Sequence, residues 1–112
     1  MIEIWHNSRC SKSRAAFNYL KESGREYKVR EYLKEPPTKE ELLELLKKLN
    51  KKPSEIIRKK ETIFKELNLK EASEDELVDA MVNYPKLIER PIVINNSKAV
   101  IARPLEEIEK VI

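Results

Sequence analysis

The chain has 112 residues, 40% of them hydrophobic and 38% charged, a size and composition that suit one domain with one core. The 23 basic and 20 acidic residues leave a net charge of +3, too small an excess to point to nucleic acid. Their signs alternate, as in Lys39-Glu40-Glu41 and Lys59-Lys60-Glu61, which is the pattern of solvated helix faces. No apolar run approaches a membrane span and no signal-peptide core follows Met1, so a cytoplasmic protein without membrane contact is expected.

Ile2 and Ile4 alternate with Glu3 and Trp5, which predicts a short strand. Beyond Cys10, the residues Ala15, Ala16, Phe17, Tyr19 and Leu20 supply helical material, and Gly24, the only glycine, suits the position just past the helix end. Tyr27 and Val29 alternate with Lys28 and Arg30 in a second strand, and a connection of this length favours parallel pairing with the first. Pro36-Pro37 closes that unit. Thr38 with Glu41 forms a capping box ahead of an amphipathic helix bearing Leu42, Leu43, Leu45, Leu46 and Leu49. Pro53-Ser54 starts a shorter helix through Ile56 and Ile57, and Phe64 and Leu67 mark another. Ser73 with Glu76 repeats the capping box before Leu77, Val78, Met81 and Val82, and Pro85 stops that helix. Pro91-Ile92-Val93-Ile94 predicts a strand, Asn95-Asn96-Ser97 a turn, and Ala99-Val100-Ile101 the returning strand. Pro104 suits the first turn of a last helix with Leu105, Ile108, Val111 and Ile112 on one face. The expectation is a single α/β domain over residues 1–112, with a helical insertion at about residues 38–84.

The chemistry centres on His6-Asn7-Ser8-Arg9-Cys10-Ser11-Lys12-Ser13-Arg14, which holds the only cysteine and the only histidine. One cysteine excludes an internal disulfide and leaves a free thiol. A free cysteine is often a buried, inert core residue, but here its neighbours are polar and cationic. At a helix start the thiol faces unpaired N–H groups and the positive end of the helix dipole, which favour the nucleophilic thiolate. The N–H groups of Ser11, Lys12 and Ser13 also make an anion site, so one loop can hold an oxyanion and attack it. Ser13 stands where a second thiol would sit in a C-x-x-C motif, so redox work by Cys10 needs a thiol from elsewhere. His6 can assist by pairing with the thiolate. Arg58, Arg90 and Arg103 are candidates for a tetrahedral oxyanion, because the guanidinium fork donates two hydrogen bonds at once.

Over essentially its full length the chain resembles the glutaredoxin-coupled arsenate reductase family, of thioredoxin-like fold. The matching residues are His6-Asn7-x-x-Cys10 with Ser13-Arg14, Tyr32-Leu33-x-x-Pro36-Pro37, Arg58-Lys59, Asn83-Tyr84-Pro85-Lys86-Leu87-Ile88-Glu89-Arg90-Pro91-Ile92-Val93 and Ala102-Arg103-Pro104. The resemblance implies a mixed four-stranded sheet with a helical insertion between the second and third strands. It implies Cys10 as nucleophile, His6 as the residue that helps lower its pKa, and Arg58, Arg90 and Arg103 as the oxyanion-binding triad. Pro91 is implied to be the cis-proline that faces the active cysteine, with Asn7 shaping the loop. The implied reaction is thiol-dependent reduction of arsenate to arsenite through a Cys10 adduct, with glutathione and glutaredoxin as electron donor. No bound cofactor or metal is implied, and the protein is expected to be a monomer. The chain departs from the family's usual pattern with Ser8, Ser11 and Lys12, where Pro and Gly-Thr are typical. Two other readings remain: a redox-related binding protein contacting RNA polymerase, for which many relatives carry the C-x-x-C absent here, and a general glutathione-linked thiol oxidoreductase, which would need Cys10 but neither Arg58 nor Arg103.

Overall fold

The structure, a computed structural model, describes all residues from Met1 to Ile112. The chain divides into two compact units, residues 1–35 with 90–112, and residues 36–89.

In the first unit, strands β1 (Ile2–Trp5), β2 (Tyr27–Arg30), β3 (Ile92–Asn95) and β4 (Lys98–Ile101) form one sheet in the order β2-β1-β3-β4. The connection from β1 to β2 is helix α1 (Ser11–Glu22), and the two strands pair in parallel, with Ile2 opposite Tyr27 and Trp5 opposite Arg30. β3 runs antiparallel to both β1 and β4, so the sheet is mixed. The β1 alternation works as its sequence predicts. Ile2 and Ile4 face a core of Ala16, Leu20, Val93, Ala102, Ile108 and Val111, which joins α1 and the C-terminal turn to one side of the sheet. On the other side Trp5 stacks on Tyr32 with ring centroids 6.4 Å apart, under the Arg30 guanidinium at 5.3 Å. Gly24 ends α1 at φ +75°, where a side chain would be strained. The turn between β3 and β4 is tighter than predicted: Asn95 is the last strand residue, paired with Lys98, and Asn96 takes the left-handed conformation at φ 56°.

The last helix is a correction. Leu105–Lys110 is a 3-10 helix, and Pro104 precedes it in extended conformation (ψ 166°) rather than opening an α-helix. Its bonds run from Glu107 N–H to the Pro104 carbonyl and from Val111 N–H to the Ile108 carbonyl. Leu105, Ile108 and Val111 recur every three residues, so a three-residue turn stacks them in line, whereas an α-helix would fan them over about 120° of one face.

The second unit is the helical insertion. It contains α2 (Lys39–Leu49), α3 (Pro53–Ile56), α4 (Thr62–Glu66) and α5 (Glu74–Asn83). Both predicted capping boxes are present. The Thr38 hydroxyl accepts from Glu41 N–H at 3.1 Å while the Glu41 carboxylate accepts from Thr38 N–H at 2.9 Å, and Ser73 and Glu76 repeat the pair. Thr38→Ala should therefore lower stability by about 1 kcal/mol, seen as an earlier urea midpoint at unchanged slope. An unchanged midpoint would show that α2 is held by packing alone. Beyond the prediction, Leu69–Glu71 and Pro85–Leu87 form 3-10 turns, and Ile57 leaves α3 to bridge Ile88 in antiparallel fashion.

Candidate active site

Cys10 caps the start of α1 in extended conformation (φ −98°, ψ 124°), between β1 and the helix. The loop before it is held by its own side chains. The Asn7 carboxamide oxygen accepts from Arg9 N–H at 3.0 Å, and the Asn7 carbonyl accepts from Cys10 N–H at 3.0 Å. Arg14, one helical turn beyond Cys10, donates from Nη1 to the Ser8 carbonyl at 2.9 Å. That clamp was not assigned from the sequence, although helical side chains lean toward the helix N-terminus and a long one four residues on reaches back over the loop.

The first turn of α1 has no acidic residue, and Lys12 and Arg14 lie there instead. Cations at a helix N-terminus oppose its dipole, so this turn sacrifices local stability to keep its potential positive. Burial pushes the Cys10 thiol up, but the Ser13 N–H, the Arg90 charge, the Lys12 N–H and a hydrogen bond from Arg90 outweigh it. The net result is a thiol pKa below its usual value, hence a larger thiolate fraction at neutral pH. Neither N–H makes a side-chain cap of full hydrogen-bond geometry; they act as dipoles facing the sulfur.

Ser13 is fully buried and serves the loop through its side chain. Its Oγ accepts from Asn7 N–H at 2.9 Å and is hydrogen-bonded with His6 Nδ1 at 2.6 Å. Only the Ser13 N–H is left for an anion. His6 is also buried and stacks on Phe17 at 5.1 Å. Its ring bonds Ser13, its backbone N–H donates to the Arg30 carbonyl at 2.8 Å, and it is not among the groups that lower the Cys10 thiol pKa. The link from His6 to the Cys10 loop runs through Ser13, which also holds the Asn7 N–H. Burial lowers the His6 pKa, opposed by Glu31 and aided by Arg14, so the ring is favoured neutral. Between that lowered value and the ordinary 6.5 the unfolded chain binds more protons than the fold does. Stability from His6 is thus complete above 6.5 and lost as pH falls through the folded value. His6→Gln should flatten the acid side of a urea-midpoint profile, and a profile parallel to wild type would remove His6 as its source.

Arg90 and Arg103 both belong to the first unit. Arg90 reaches the Cys10 sulfur, and Arg103 donates from Nη1 to the Arg90 carbonyl at 3.3 Å. Each precedes a proline, and both bonds, Arg90–Pro91 and Arg103–Pro104, are cis. Arg58 lies in the second unit. Its N–H donates to the Leu87 carbonyl at 2.7 Å beside the Ile57–Ile88 bridge, and its guanidinium pairs with Glu61 and, at 4.0 Å, with Glu89. Ser11 and Lys12 are exposed at the start of α1. No three His, Cys, Asp or Glu side chains gather as a metal site would require. No helix is long and apolar enough to cross a membrane.

A family model, that of the ArsC family, matches residues 5–111. The chain belongs to the ArsC family. The uncharacterized protein YfgD of Escherichia coli (strain K12) is 47% identical, covering 99% of this chain and 96% of that one. An arsenate reductase of Neisseria meningitidis serogroup A is 44% identical over 99% of this chain and 97% of its own length. Among solved structures, the arsenate reductase from Vibrio cholerae superposes with a TM-score of 0.95 at 40% identity, over 99% of this chain and 97% of that one. The thioredoxin-like architecture expected from the sequence is thus the fold of this ArsC member: a four-stranded mixed sheet with its helical insertion between β2 and β3.

Proposed function

We propose that this ArsC protein reduces arsenate to arsenite through a covalent adduct on Cys10, with glutathione and glutaredoxin supplying the electrons. The observation that carries the reading is a half-buried cysteine whose thiol is lowered by Arg90 and two helix-start N–H groups. A thiolate displaces one oxygen of protonated arsenate, forming a sulfur–arsenic bond and releasing water. A glutathione thiolate then attacks the Cys10 sulfur. The new disulfide takes one bond to that sulfur, the sulfur–arsenic electron pair stays on arsenic, and arsenic(III) leaves as arsenite. A second thiol, from glutathione or glutaredoxin, returns Cys10 to the thiol.

Arg90 and Arg103, with the N–H groups of Ser11, Lys12 and Ser13, neutralise the tetrahedral ion and the charge that shifts in the first step. Arg58 is assigned to the same ion on the sequence resemblance. His6 and Asn7 act as positioning residues, holding the loop through Ser13, and Pro91 sets the backbone after Arg90. The relatives called arsenate reductases support this substrate, and the absence of a second thiol at Ser13 calls for an external donor.

The test is NADPH oxidation coupled through glutathione, glutaredoxin and glutathione reductase. Turnover that depends on arsenate, and is not produced by phosphate, is expected. Turnover on mixed disulfides with none on arsenate would favour the general thiol oxidoreductase. Separately, arsenate should protect Cys10 from alkylation. Arg103→Ala should raise the arsenate concentration needed by about tenfold. Unchanged protection would remove Arg103 from the pocket.

A further inference from the structure

The second unit carries a cavity of about 310 Å³ that no step above uses. Its walls are apolar: Ile57, Phe64, Leu69 and Leu77 line it, and all four are buried. Two cations, Lys59 and Lys70, also line it and are exposed. Neither is drawn into a salt bridge, and neither sits at the end of a long helix whose dipole would explain it. The one acid that reaches the cavity, Glu74, is already engaged, accepting from Ser54 N–H at 3.2 Å and from the Ser54 hydroxyl at 3.0 Å. With Lys59 and Lys70 against Glu74 alone, the lining keeps one net positive charge over apolar walls. A larger groove in the same unit, beside Lys47, Lys51 and Lys52, lacks this imbalance. Lys47 lies in the last turn of α2 with Lys51 just beyond it, Glu55, Glu74 and Asp75 lie in the first turns of α3 and α5, and the lysines and carboxylates of that groove balance.

We infer that the cavity beside Lys59 and Lys70 binds a small organic monoanion, a carboxylate with an apolar body. The two ammonium groups take the carboxylate, and the hydrocarbon body replaces water against Ile57, Phe64, Leu69 and Leu77. The volume lies at the lower end of the ~300–1,000 Å³ typical of small-ligand pockets, which fits one short aliphatic or single-ring body. An inorganic anion would leave the apolar walls unmatched, and a neutral hydrocarbon would leave the lysines unmatched. Ile57 and Lys59 are the chain neighbours of Arg58, so a ligand here touches both sides of the segment that carries that arginine.

Octanoate is the probe, titrated into the intact ¹⁵N-labelled protein. Saturable shifts are expected at the amides of Ile57, Arg58, Leu69 and Leu77. Lys59→Gln and Lys70→Gln should each weaken binding about threefold, and about tenfold together, while Lys98→Gln in the hairpin leaves it unchanged. Ala72→Phe, which adds volume to the cavity wall, should abolish the shifts, its fold checked by the remaining spectrum. Equal affinity for octanol, the same shifts with inorganic phosphate, no effect of the double lysine variant, or no movement of those amides would each overturn the assignment. None of these readouts depends on arsenate turnover, so the two readings fail separately.

Discussion

Cys10→Ser is expected to abolish arsenate-dependent turnover, a loss of at least ~10³-fold. The hydroxyl is not ionised near neutral pH, and it can form neither the sulfur–arsenic bond nor the mixed disulfide that follows. The substitution should leave the loop intact, because the loop is held by Asn7, Ser13 and Arg14 rather than by the sulfur. Arsenate binding should therefore survive, measured by calorimetry, while turnover in the coupled assay vanishes. In the wild type, iodoacetamide should modify Cys10 near about pH 6 much faster than an ordinary thiol. A variant that keeps about a tenth of wild-type turnover would place the chemistry elsewhere. Pull-down of RNA polymerase to the same extent by wild type and Cys10→Ser, with no arsenate turnover in either, would favour the binding-protein reading.

What the sequence made legible was local. Thr38 with Glu41 and Ser73 with Glu76 marked helix starts because a capping box is a bond between neighbours in the chain, and Gly24 marked the end of α1 for the same reason. Cys10 was legible as a candidate nucleophile because its helix-start position followed from the strand before it and the apolar residues after it. The last turn was misread because Leu105, Ile108 and Val111 suit a helix of either period, and only the extended Pro104 and the three-residue bonds separate them. The antiparallel partnership of β1 with β3 lay beyond local pattern, since it joins segments separated by the whole insertion. The same separation hid the meeting of Arg90 with Cys10: the resemblance placed both in one site, but no spacing along the chain could. The buried His6–Ser13 bond was hidden differently. A serine in a polar loop reads as solvent-facing, and its burial depends on how α1 packs against the sheet.

Arg90→Ala should slow arsenate reduction by about 10²-fold, the usual cost of losing one charged donor to a reacting oxyanion. Arg90 contributes to two terms at once. Its charge and its hydrogen bond both favour the Cys10 thiolate, so removal must move the thiol pKa upward. In the proposed reaction it also holds the ion that the thiolate attacks. The two roles separate by pH. Loss of thiolate alone would be recovered by raising the pH until Cys10 ionises, because full ionisation restores the nucleophile whatever its pKa. Loss of oxyanion binding would persist at every pH. The expected result is an alkylation profile displaced to higher pH, with arsenate turnover that stays depressed after alkylation has reached its plateau. Arg90→Lys should restore much of the alkylation profile, since it keeps the charge, but little of the turnover, since it lacks the planar fork. Turnover that returns fully at high pH in Arg90→Ala would confine Arg90 to tuning the sulfur, leaving Arg103 and the N–H groups of α1 to hold the ion.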